Sequence, residues 1–178
     1  MTPTITPPPG APATPERTSP QPTPDAPPVL PGEAWRTTAL LDVRSGEVLT
    51  INELTAAGRL VVIEPMAIWC TNCRLQQNEA RTALAALDSG DVVYISLDVD
   101  PNETEPDLAR YADEREYPWH FAVAPRVVSR SLAEVFGDQV LSPPSTPKIV
   151  IAPDGTAEVS FGHKPAAELE AELGALIR

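Results

Sequence analysis

Hydrophobic positions along this chain change period several times, and each change marks an element. Short apolar runs at 38–42 and 47–51 flank Arg44-Ser45-Gly46, a pattern that predicts a β-hairpin. Residues 52–58 read as a short helical turn ending at Gly58. Leu60-Val61-Val62-Ile63-Glu64 follows with apolar residues on both faces, as a central parallel strand requires. Ala80, Ala83, Leu84 and Leu87 then recur at helical spacing until Asp88-Ser89-Gly90 ends the run. Residues 91–98 predict a second buried strand. Thr104 and Asp107 have capping-box spacing, and with Pro106 in the first turn they open a helix to about Glu116. A short strand at 119–123 precedes an amphipathic helix marked by Val128, Leu132, Val135 and Phe136 and closed by Gly137. The chain ends with a strand at 148–151, a turn at Pro153-Asp154-Gly155, a returning strand at 157–161, and a helix after Pro165 carrying Leu169, Leu173, Leu176 and Ile177. Strands separated by helices are expected to be parallel and the closing hairpin antiparallel, which makes the fold class α/β.

Composition changes this picture at one end. More than half of the 22 prolines precede Gly32, among Thr, Ala and Ser with almost no large apolar side chains. Such a stretch cannot bury enough surface to offset its ordering entropy. Residues 1–32 therefore read as a disordered, partly extended tail, and 33–178 as the folded domain. The net charge of −12 argues against a nucleic-acid backbone or an anionic membrane surface as partner. The longest apolar runs are strand-sized, and residues 2–31 lack the basic start and apolar core of a signal peptide.

The candidate chemistry is Trp69-Cys70-Thr71-Asn72-Cys73, which holds the only two cysteines. It lies where the strand at 60–64 gives way to a helix. That spacing lets both sulfurs close a small ring, and the helix N-terminus offers partial positive charge and free N–H groups to the first thiol. Cys70 would be the attacking thiolate and Cys73 the resolving thiol that releases the mixed disulfide. Two cysteines in this spacing do not fix the redox compartment. Two thiolates alone under-coordinate zinc, but they could hold Cu(I) linearly with Met66 as a thioether ligand, so a Cu(I)-binding metallochaperone is the alternative function. A thiol peroxidase is disfavoured because Ala67, not Thr, stands three residues before Cys70.

From Trp35 to the C-terminus the chain resembles the thioredoxin superfamily, in particular the TlpA/ResA-like thiol–disulfide oxidoreductases. The resemblance rests on the Ala67-to-Arg74 segment, the hairpin ahead of the active-site strand, Thr146-Pro147 just before a strand, and the Asp-Gly turn after it. It implies a thioredoxin-like fold: a central mixed β-sheet flanked by helices, with an N-terminal β-hairpin extension. It also implies a buried acid at Glu64 that moves protons for the resolving cysteine, against the alternative of a strand-end carboxylate reaching solvent beside Pro65. Thr146-Pro147 would be cis by the same resemblance and present its backbone to an extended substrate. Trp69 would pack beside the dithiol and offer apolar surface to partners, or else be a core aromatic.

Implied partners are protein thiols and disulfides and an upstream electron-donor redox protein, with no dissociable cofactor and no metal. The implied location is extracytoplasmic, periplasmic or at the cell surface with a membrane tether through the N-terminal tail, because a Pro/Thr tail commonly separates a membrane anchor from an exported domain; the cytoplasm is the alternative. Two departures stand out. Thr71-Asn72 replaces the Gly-Pro of thioredoxin itself, which leaves the direction of electron flow open. Gln76-Gln77-Asn78-Glu79 stands where relatives often have a helix-kinking proline, so a straighter helix is expected. His120 and His163 sit in no ligand motif, and Asn102-Glu103-Thr104 fits a glycosylation sequon of the kind that arises by chance.

Because the tail lacks core-forming side chains, deleting residues 1–31 is expected to leave the melting temperature and thiol exchange almost unchanged. A large drop in melting temperature would place the domain boundary elsewhere.

Overall fold

The computed structural model describes residues 32–87 and 90–177; nearly all of the proline-rich tail, up to residue 31, lies outside the described residues. The folded part opens with a one-turn helix α1 (Ala34–Thr37), the hairpin strands β1 (Leu40–Leu41) and β2 (Val48–Leu49), and helix α2 (Ile51–Ala56). Then come β3 (Leu60–Met66), α3 (Thr71–Ala86), β4 (Val92–Asp98), α4 (Glu105–Arg115), β5 (His120–Val123) and α5 (Arg126–Phe136). Two 3₁₀ turns (Asp138–Leu141 and Pro143–Ser145) lead to β6 (Lys148–Ile151), β7 (Ala157–Ser160) and α6 (Ala166–Leu176). The large sheet has the order β5-β4-β3-β6-β7, with β3, β4 and β5 mutually parallel and the β3–β6 and β6–β7 pairs antiparallel. The hairpin forms its own two-stranded sheet and docks on β5 through the Val43 N–H to the Phe121 carbonyl.

Every residue of β3 is buried, as expected of a central strand covered on both faces. Its even-numbered residues Leu60, Val62 and Met66 join Cys70, Cys73, Ala80, Leu108, Leu169 and others under α3, α4 and α6. Its odd-numbered residues Val61 and Ile63 face the opposite layer, with Trp35, Ile51, Val128 and Leu132 from α1, α2 and α5. A period of two thus divides one strand between two cores.

The strand runs two residues past its expected end, straight through Pro65. The carbonyl of Met66 accepts from Val99, on the β4 side, so Pro65 turns its backbone toward β6. Pairing with β6 covers only Val61 to Ile63, and the N–H that proline lacks would have had no partner there.

Helix α4 starts as its capping signal predicts: Thr104 accepts from the Asp107 N–H. Helix α3 continues unbroken for 16 residues through Gln76-Gln77-Asn78-Glu79. In α5, Val128 and Leu132 are buried, while Val135 on the last turn is half exposed. Tyr117 stacks on Trp119 with ring centroids 4.7 Å apart, and Phe121 and Tyr111 pack around them. This aromatic group sets the position of Trp119 beside β4.

Trp35 anchors the start of the domain, wholly buried and meeting Phe136 edge-on at 5.4 Å. Trp35→Ala is expected to destabilise the fold by about 3–5 kcal/mol, measured by urea denaturation. A loss under about 1 kcal/mol, the size of a typical point mutation, would mean that α1 contributes nothing to the core.

Candidate active site

Strand β3 ends at Met66, and the chain turns through Ala67, Ile68 and Trp69 into α3. Cys70 is the N-cap of that helix, with the extended backbone of φ −74° and ψ 107°, and its sulfur accepts the Cys73 N–H at 3.1 Å. A side chain at this point meets free N–H groups and the positive end of a long helix, which favours a thiolate over a thiol. Cys70 and Cys73 are joined as a disulfide, with Cα atoms 5.3 Å apart. The Cys73 sulfur lies 3.3 Å from the Pro143 carbonyl oxygen, and in the reduced protein its thiol can donate there. The two sulfurs thus meet different partners, a backbone N–H at Cys70 and a backbone carbonyl at Cys73.

Both cysteines are buried, because the turn Pro143–Ser145 lies against the start of α3, held by Asn72 Nδ2 donating to the Pro144 carbonyl at 2.9 Å. Any exchange through Cys70 would therefore require this turn to move or a partner to uncover the sulfur. The turn before Cys70 is clamped from the other side. Both Glu103 carboxylate oxygens take the Ile68 N–H, at 3.0 and 2.8 Å, and Trp69 Nε1 donates to Asp100 Oδ2 at 2.7 Å. Asp98, at the end of β4, is buried beside them, and burial followed by the charges of Glu103 and Asp100 pushes its carboxyl up to about 7. Trp69 is 58 % exposed, so it is no core aromatic.

Glu64 is wholly buried and does not reach solvent past Pro65. The β3–β4 register sets it beside Ser96, whose hydroxyl donates to Glu64 Oε2 at 3.2 Å. That hydroxyl accepts in turn from Trp119 Nε1 at 2.9 Å and Gln77 Nε2 at 3.4 Å, and the Gln77 carbonyl takes the Tyr111 hydroxyl at 2.6 Å. Among the described residues neither Glu64 Oε1 nor the buried Tyr94 hydroxyl has a hydrogen-bond partner. Burial pushes the Glu64 carboxyl up to about 7, against the pull of the Gln77 side chain, the Lys148 charge and the Ser96 hydroxyl. Gln77 is one helical turn beyond Cys73 on the same face of α3. Glu64 consequently lies beneath the helix that carries the dithiol and titrates near neutrality, as a proton acceptor there needs.

Thr146-Pro147 departs from its expected geometry. No cis peptide bond occurs among the described residues, so the Thr146–Pro147 bond is trans. The chain instead turns at Thr146 itself, in the left-handed region at φ 45° and ψ 58°, an uncommon conformation for a β-branched residue. Its N–H donates to Pro143 and its carbonyl accepts Lys148 Nζ at 3.0 Å, so the backbone expected to face a substrate is engaged internally. Beside this turn a pocket of about 290 Å³ is lined by Asn72, Leu75, Pro144, Thr146, Gly162 and His163.

Met66, the thioether considered for copper, is buried in the same cluster as both cysteines. His120 Nδ1 is 2.6 Å from Asp42 Oδ2 and ties the hairpin to β5, away from the dithiol. The sequence reading missed Lys148, which is buried at the start of β6 and adds its charge to the Glu64 environment. Its only signal was a lysine directly after Pro147, and its place beside Glu64 depends on a strand pairing that sequence does not display.

No family model matches the sequence, and no curated protein matches it. Solved structures are similar in fold. A thioredoxin-family thiol:disulfide interchange protein from Chlorobium tepidum superposes with a TM-score of 0.62 at 17% identity, covering 79% of this chain and 93% of that one. A secreted Mycobacterium tuberculosis disulfide oxidoreductase, described as homologous to E. coli DsbE, gives 0.62 at 14% identity over 81% and 98%. A thiol-disulfide isomerase from Corynebacterium glutamicum gives 0.58 at 24% identity over 77% and 93%. A mixed five-stranded sheet flanked by helices, a hairpin ahead of it and a Cys70–Cys73 pair at the strand-to-helix junction together give this chain the thioredoxin fold.

Proposed function

We propose that the chain is a thiol–disulfide oxidoreductase of the TlpA/ResA-like kind, working on protein disulfides. The observation that carries this reading is the Cys70–Cys73 disulfide at the N-cap of α3, above a wholly buried acid, Glu64. In the reducing direction the Cys70 thiolate attacks one sulfur of a substrate disulfide. A Cys70–substrate disulfide forms, and the other substrate sulfur leaves as a thiolate that takes a proton from solvent. Cys73 then gives its proton to Glu64 and attacks the Cys70 sulfur. The internal disulfide closes, the second substrate thiolate leaves, and two electrons have passed from the dithiol to the substrate. An upstream redox protein restores the dithiol by the reverse exchange.

Exposed Trp69 and Leu75, with the pocket between Asn72 and Thr146, offer an apolar landing surface around the sulfurs. An extracytoplasmic role is supported by the secreted mycobacterial neighbour. Insulin-disulfide reduction tests the reading directly. Cys70→Ser is expected to abolish turnover, and Cys73→Ser to accumulate a mixed disulfide through Cys70. Full turnover by Cys70→Ser would sink the mechanism, and stoichiometric Cu(I) binding without turnover in the parent protein would favour the metallochaperone.

Glu64→Gln removes the base while nearly preserving shape. Resolution of the mixed disulfide is expected to slow by about 10²–10⁴-fold, read by stopped-flow across pH 5 to 9. Superimposable profiles would leave Glu64 as scaffold.

The same residue predicts a stability effect. Between its ordinary value of 4.5 and about 7, Glu64 keeps its proton in the native state and loses it in the unfolded chain. Its contribution is therefore full below pH 4.5 and is lost as pH rises through 7, a fall on the order of 3 kcal/mol. Denaturation of Glu64→Gln at pH 4.5 and pH 8 is expected to show a flatter dependence, with Asp98 supplying a remaining slope of the same sign. An unchanged dependence would mean that Glu64 ionises equally in both states.

A further inference from the structure

A lysine is almost never fully buried unless its charge is answered. Lys148 has no exposed surface, and its ammonium donates to the Gly162 carbonyl at 2.8 Å, the Thr146 carbonyl at 3.0 Å and Gln76 Oε1 at 3.4 Å. All three donors are used, and all three acceptors are neutral. The hydrogen bonds are satisfied while the charge is not. Antiparallel pairing of Val61, Val62 and Ile63 with Ile151, Val150 and Ile149 leads, one step on, to Glu64 opposite Lys148. Residues opposite one another in such a pair project to the same face of the sheet. Both side chains thus lie under α3, where Lys148 meets Gln76 and Glu64 lies by Gln77, the two residues a turn past Cys73.

We propose that Lys148 is a positioning residue for the dithiol chemistry, acting through Glu64: its buried ammonium favours the carboxylate that takes the Cys73 proton, while the same group ties the Thr146 turn beside the sulfurs. This rests on the oxidoreductase reading above. The physical basis is that a buried acid without a cation stays protonated and cannot act as a base. Other ionisable groups that act on Glu64 are Tyr94 from β4 and, at longer range, Tyr111 from α4 and Tyr117 beyond it, with Ser96 and Gln77 as neutral polar neighbours. Lys148 is also acted on by Lys164 from the loop before α6 and by Glu168 and Glu172 of α6. Among the described residues Lys148 supplies the leading positive charge on Glu64, and its own ammonium is pushed down to about 8 by burial, against the Glu64 charge.

The test is a titration of Glu64 by carbon-13 NMR in the oxidised full-length protein, which needs no turnover. In Lys148→Gln the Glu64 midpoint is expected to rise by about one pH unit or more, and in Lys148→Arg to stay near the parent value. Single-turnover resolution of the mixed disulfide is expected to shift its pH profile by the same amount. That makes Lys148→Gln roughly tenfold slower on the acid limb, with no further effect of Lys148→Gln in a Glu64→Gln background. An unmoved Glu64 midpoint in folded Lys148→Gln overturns the proposal, as does a further tenfold loss in the double variant. Should Lys148→Gln not fold, Lys148 is titrated in Glu64→Gln, where loss of the neighbouring negative charge is expected to lower its midpoint; an unmoved midpoint there is equally fatal. A parent protein that exchanges no disulfides overturns the oxidoreductase reading instead, and the NMR titrations tell the two failures apart.

Discussion

A carboxyl group inside a strand with no wet face has to be answered by other side chains, and much of the α3 side of the sheet is organised around answering Glu64. An unsatisfied buried acid would cost several kcal/mol or simply keep its proton. Ser96 is set beside it by the parallel register with β4, Gln77 descends from α3, and Trp119 and Tyr111 complete the chain of donors from the aromatic group. The solution is incomplete: Oε1 has no hydrogen-bond partner among the described residues. Burial pushes the carboxyl up to about 7, and the hydrogen bonds it does receive pull it the other way.

The same strand explains why the dithiol sits where it does. With both faces of β3 buried, the chain can leave the sheet only at its end, and Pro65 stands where pairing with β6 has already stopped. One short turn later the free N–H groups of α3 point at Cys70. Cys73 comes one turn on, already inside the core. The different surroundings of the two sulfurs are thus a by-product of where a helix can start beside a covered strand.

Much of this was legible in the sequence because it is local. The C-x-x-C spacing, the Thr104 cap, the apolar strands at 60–64 and 91–98 and the closing Asp-Gly hairpin each depend on a few neighbouring residues. Pairing between distant strands was not legible, and so Lys148 read as the polar start of a strand rather than as a charge set opposite Glu64. The passage of β3 through Pro65 was missed for the same reason, since it depends on which neighbour is absent. The direction of the Thr146 turn depends on its contacts with Pro143 and Lys148, and a resemblance carried over from Thr-Pro alone implied a different bond geometry.

Of the three tryptophans, Trp35 and Trp119 lie inside the two cores, while Trp69 is exposed directly before the paired sulfurs. A disulfide quenches a neighbouring excited indole and a thiol does so less. The solvent-shifted, long-wavelength part of this protein's emission is therefore expected to belong to one residue, with an intensity that follows the state of the neighbouring bond. The two interior indoles emit at shorter wavelength and follow the integrity of the cores. Without any added dye, a single emission spectrum separates the oxidation state of the chain from its folding.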